Sequence, residues 1–132
     1  MLDEDLDQKR HQALDILRTV IRSDLDRLLL AEQLIRSEDK KAIKDLLSIL
    51  LLWFRDAFLY SQGNGDRELI VNVDLIETLD KFCNSFKDIN FEAIVADIEN
   101  AIELFNRNVY VNLIVINLFY SLKHNLRRKG HA

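Results

Sequence analysis

Residues 46–54 read LLSILLLWF, a run in which Ser48 is the one polar side chain. The run lies within a predicted helix over residues 40–60. A helix that is apolar nearly all round must be covered by protein on most sides. We therefore expect this element at the centre of the fold.

The chain around it permits long helices. It contains no proline, and its glycines are Gly63, Gly65 and Gly130. Nothing therefore removes a ladder hydrogen bond from a helix interior, and few positions weaken one. A length of 132 residues is near the modal domain size and buries about two-thirds of the unfolded surface without a staple. With 48% hydrophobic and 30% charged residues, the chain can collapse and is not disordered. The expectation is one all-α domain over residues 1–132, a bundle of five to six helices.

Apolar periodicity supplies the other helices. The first covers residues 5–22, with Leu6, Ala13, Leu14, Leu17, Val20 and Ile21 on one face. Ser23 and Asp26 read as a variant capping box for a second helix that carries Leu25, Leu28, Leu29, Leu34 and Ile35. Gln62 to Asp66 is a turn, and Leu69 to Val73 is a buried connector. Asp74 and Glu77 form an acidic cap pair for a fourth helix, whose stripe is Leu75, Ile76, Leu79, Phe82, Cys83 and Phe86. Asn90 caps a fifth helix, lined by Phe91, Ile94, Val95, Ile98, Ile102 and Phe105. The last helix spans residues 111–128.

Catalytic spacings are missing. The residues three before His11, His124 and His131 are Gln8, Ser121 and Arg128, so no Glu-x-x-His pair of a bundle metal site is present. Gly63 and Gly65 lack the following lysine or third glycine of a phosphate loop. Cys83, the single cysteine, excludes an internal disulfide and sits on an apolar stripe as a small core residue. Glu92, Glu99 and Glu103 lie opposite the stripe of their helix and read as solvated charge. We expect no catalytic residue, no cofactor and no metal.

The net charge of −4 offers no general attraction to a phosphate backbone. Lys123, Arg127, Arg128 and Lys129 form one basic cluster, read as a complement to the last helix's dipole rather than as a DNA contact. The acidic start MLDEDLDQKR is no secretory signal, and the longest apolar run falls far short of the roughly 20 residues that span a bilayer. A cytoplasmic protein without membrane contact is expected. The helices over residues 40–60 and 111–128 are apolar around most of their circumference. Apolar surface left over from the bundle would mark a protein–protein interface, and it also allows self-association of the isolated domain.

A resemblance sharpens this reading. Residues 46–74, LLSILLLWFRDAFLYSQGNGDRELIVNVD, are similar to a stretch of the delta-prime subunit family of bacterial DNA polymerase III. There an apolar helix ends in Arg-Asp, and a glycine turn leads to a short apolar segment that ends in Asp. Trp53-Phe54-Arg55-Asp56 and Val71-Asn72-Val73-Asp74 follow that order. Residues 101–122, AIELFNRNVYVNLIVINLFYSL, resemble the family's closing helix pair, although Tyr110 stands where a second Asn is more usual. The gamma/tau subunits share the architecture.

The resemblance implies a non-catalytic C-terminal collar domain of a longer subunit, whose ATPase-like modules bind nucleotide. Its partners would be the other clamp-loader subunits, gamma/tau and delta, in the loader that opens a sliding clamp for a DNA-directed DNA polymerase. It also implies that Trp53, Arg55, Asp56 and Asn108 feel an interface. Core packing for Trp53, bundle structure for Arg55 and Asp56, and helix termination for Asn108 are the competing roles. A stand-alone helical adaptor that binds a peptide helix in an apolar groove is the alternative function.

Overall fold

A computed structural model describes residues 2–62, 70–86, 88–107 and 110–126. The predicted turn at residues 63–66, Leu69, Asn108 and the basic residues Arg127, Arg128 and Lys129 lie outside them, as does His131. The fold is all-helical. The helices are α1 (Leu2–Val20), α2 (Asp24–Ser37), α3 (Lys40–Ser61), α4 (Ile76–Ser85), α5 (Phe91–Asn106) and α6 (Val111–Asn125). A 3-10 turn, Val73–Leu75, precedes α4.

Short polar side chains start three of them. Ser23, Asp39 and Asn90 accept from the backbone N–H groups of Asp26, Ala42 and Ala93. Each satisfies a donor that the first helical turn leaves open. The extended backbone at Ser23, φ −138°, ends α1 at Val20, before the expected residue 22. The expected acidic cap pair of α4 does not form. Leu75 occupies the cap position with no side-chain cap bond, because the 3-10 turn delays the helix and Arg10 takes the Asp74 carboxylate. Asp88, between α4 and α5, holds a left-handed φ of 58°, a conformation that Asp tolerates better than most residues.

Five helices close a ring in the order α1, α3, α5, α6, α2, and α4 lies against the outside of α3. The ring interior is apolar, built from residues such as Val20, Leu50, Phe54, Ile94, Ile98 and Phe105. Each fully buried aliphatic side chain of this kind contributes about 1.5–3 kcal/mol. Helix α3 packs against α1, α4 and α5, as its apolar circumference requires.

Helix α2 departs from its reading. Its buried residues are Arg27, Ala31 and Leu34, while Leu25 is 63% and Leu29 52% exposed, and Leu28 is exposed as well. The inward face runs at i, i+4 and i+7 through Arg27, Ala31 and the expected Leu34, and it leaves Leu25, Leu28 and Leu29 outside. Arg27 is kept inside by partners. Its guanidinium donates to Asp24 and to the Val20 carbonyl and stacks 5.9 Å from the Tyr120 ring centroid.

The connector before α4 is fastened by polar bonds. The buried Asp56 carboxylate on α3 accepts from the backbone N–H of Val71 at 3.0 Å, from that of Asn72 at 2.8 Å, and from Asn72 Nδ2 at 2.6 Å. Arg10 of α1 then donates to Asn72 Oδ1 at 3.2 Å and to Asp74 Oδ1 at 3.0 Å. Ile70 and Asn72 are buried, and Val71 points out.

Asp56→Ala would strand two backbone donors and an amide, so urea unfolding should show a loss of about 2–4 kcal/mol. A loss near zero would mean the connector is held by apolar packing alone. The Arg10 guanidinium beside Asp74 holds its carboxyl below the usual range. The stability it brings is therefore fully present above the unfolded value of about 3.9 and fades as pH falls through the lower folded value. Asp74→Asn should be less stable than the parent near neutral pH, and the gap should shrink as pH falls below about 3.9 toward the lower folded value. A gap that stays constant with pH would contradict the pairing.

Candidate protein-interaction site

Four positions were singled out from sequence, and three are described. Trp53 is buried against α4, edge-on to Phe82 with ring centroids 5.7 Å apart. Its Nε1 is buried without a hydrogen-bond partner among the described residues. An aromatic side chain that buries 150–250 Å² gains roughly 4–6 kcal/mol, which outweighs the ~1–3 kcal/mol cost of an unmet donor. Its place in the core is thus energetically sound.

Asp56 faces the interior and holds the connector, as described. Arg55, the next residue back, turns the other way. Its Nη2 stands 3.6 Å from Glu99 Oε1 on α5, with both side chains about half exposed. An ion pair in that setting contributes about 1 kcal/mol or less, so Arg55 remains available to a partner. The sequence places these neighbours together, and the helix turns them about 100° apart, one inward and one outward. Asn108 lies outside the described residues. Helix α5 ends just before it, with Arg107 as the C-cap.

Arg55 borders an open groove of about 1040 Å³ between the last turns of α3 and the length of α5. Phe58, Leu59, Phe91 and Val95 supply its apolar floor. Phe58 and Phe91 meet across it in a T-shaped contact at 5.5 Å, and Phe58 remains 43% exposed. Glu92, Glu99 and Glu103, expected as solvated charge, are exposed and form one rim. A second apolar surface spreads over α2 and its neighbour α6. The outer leucines of α2 are exposed, and on α6 so are Leu113 and Tyr120, the latter 66% exposed with Arg27 of α2 over its ring.

Sequence reasoning missed Phe58, the outward face of α2 and the Arg10–Asn72–Asp74 cluster. The residues 71–74 were already picked out by the resemblance. The missing signal was that Asp56, placed in an otherwise buried segment, required N–H donors from somewhere in the chain.

The described residues offer little for chemistry. No group of three His, Cys, Asp or Glu side chains among them could hold a metal ion. Cys83 is half-buried, its thiol donating to the Ala57 carbonyl at 3.6 Å. Burial, with Asp80 nearby, pushes the thiol up to about 11, so at neutral pH it is a poor nucleophile. His11 and His124 are exposed. Lys123 lies 3.6 Å from Asp24 of α2. No helix is long and apolar enough to cross a membrane among the described residues.

Neither the curated proteins nor the solved structures compared with the chain gave a match. A family model does match, described as DNA polymerase III, delta subunit, C terminal, over residues 4–123. That span takes in all six helices up to the last turn of α6. The chain therefore belongs to the family of C-terminal domains of the DNA polymerase III delta subunit.

Proposed function

We propose that this domain is a non-catalytic collar domain of the delta-prime type, which joins clamp-loader subunits in the bacterial cytoplasm. In this reading it assembles gamma/tau and delta by apolar helix faces, so that the loader can place the sliding clamp on DNA. The observation that carries the reading is the uncovered leucine and tyrosine surface of α2 and α6. Leu25 and Leu29 stand outside a core that is already closed by Ala31 and Leu34. Covering such residues with a sibling subunit would contribute about 25 cal/mol per Å² of apolar area, offset by the cost of association.

Family membership favours this role over a stand-alone adaptor, which has only the α3–α5 groove in its support. Trp53 and Asp56 enter the reading indirectly: they fix α3, α4 and the connector as one body. Arg55 is the one described member of the predicted set whose side chain a partner could touch directly.

Mixing the purified chain with the collar domains of sibling clamp-loader subunits and sizing the mixture tests the reading. Co-elution is expected. The double variant Leu25→Glu/Leu29→Glu should abolish it and leave the thermal midpoint within a few degrees, since exposed positions far from special features change stability by about 0.5 kcal/mol or less. Failure to co-elute with every sibling would remove the case for a collar role.

A further inference from the structure

The α3–α5 groove has a chemistry of its own, separate from the leucine face of α2. Its floor is apolar and its charge is of one dominant sign. Three carboxylates line it. Glu99 faces the Arg55 guanidinium at 3.6 Å and Glu103 meets Arg107 of its own helix at 2.5 Å, both as exposed pairs that a partner's cations can share. Glu92 adds a third negative charge. The carboxylates are not scattered. Glu92, Glu99 and Glu103 stand at i, i+7 and i+11 of α5, close to a single line along the helix. At about 1.5 Å per residue that line is roughly 16 Å long, or three turns.

We propose that this groove is the docking site for an amphipathic helix of a partner protein, one with lysine or arginine along the edge that meets α5. The apolar side of such a helix sets two or three side chains on Phe58, Phe91 and Val95. Its cations then run beside the glutamate row. The walls are two helices, so no sheet edge is available to add an extended strand, and a helix laid in a groove is the recognition mode that fits. The volume of about 1040 Å³ is at the upper limit for a single small ligand, and the groove is open along its side, as a helix of about 10 Å diameter requires. Nucleic acid and anionic lipid are disfavoured by the same carboxylates. Arg55 holds Glu99 in the unbound state and marks where an acidic residue of the partner helix would be accepted.

The inference uses residues distinct from those that carry the collar reading, so the two can fail separately. The test uses two fluorescein-labelled helical peptides of about 16 residues, long enough for the groove's three turns. They share one apolar face and differ only in flanking charge, lysine and arginine in one and glutamate in the other. Fluorescence anisotropy with the full chain should show the cationic peptide binding at least roughly ten-fold tighter than the anionic one, with the gap closing as salt rises from about 50 to 300 mM. The triple variant Glu92→Gln/Glu99→Gln/Glu103→Gln should erase the preference, and Phe58→Ala should weaken both peptides. Leu25→Glu/Leu29→Glu should leave peptide binding unchanged.

Equal binding of the two peptides, binding indifferent to Phe58→Ala, or binding of neither at about 1 mM, the weak end of specific recognition, would overturn the proposal. Concentration-dependent dimerisation abolished by Phe58→Ala would overturn it too, since the groove would then belong to a second copy. Loss of sibling co-elution with peptide binding intact would sink the collar reading alone.

Discussion

One buried carboxylate fixes the residues that lead directly into α4. Asp56 is nearly sealed from water, and its two carboxylate oxygens accept from three N–H donors. Those donors belong to Val71 and Asn72, so the connector is drawn against α3 at one defined residue. Arg10 then reads the same connector from α1. The three elements are fastened where apolar packing alone would allow sliding. Because α4 follows at once, its stripe is delivered onto Trp53 and Phe54, where Phe82 meets both rings.

The outer surface follows a different logic. Between helices of the ring, polar ties span the seams: Lys9 with Asp45, Lys44 with Asn106, and Ser121 and Asn125 with Asp97. They select register more than they add stability, as exposed pairs do. On α2 and in the α3–α5 groove apolar side chains are left without cover. The two surfaces lie on different seams of the ring, α2–α6 and α3–α5, so contact at one leaves the other open.

Much of this could be read in advance. The all-round apolar run of residues 46–54 marked the central helix, and Ser23 and Asn90 announced two helix starts. Helix α2 was misread because leucines at 25, 28, 29 and 30 let its apolar stripe be drawn at more than one phase. Periodicity favours the phase with most leucines, yet close packing beside α6 selected Ala31 and accepted Arg27, whose charge is met by Asp24 and the Tyr120 ring. Asp74 was misread as a cap because a pairing with Arg10, 64 positions away, leaves no local trace. The groove was hidden for a similar reason. Phe58 and Glu99 belong to one surface only after α3 and α5 have packed.

The order of the ring has a consequence for synthesis. Helix α2 rests on α1, which leaves the ribosome before it, and on α6, which leaves last. Between the emergence of Ser37 and that of Asn125, translation at about 5–20 residues per second leaves an interval of roughly 5–20 s. Through that interval both sides of α2, its leucines and the strip that later meets α6, stand open to chaperones and proteases. The nascent domain completes itself only when its final helix arrives to shut the circle.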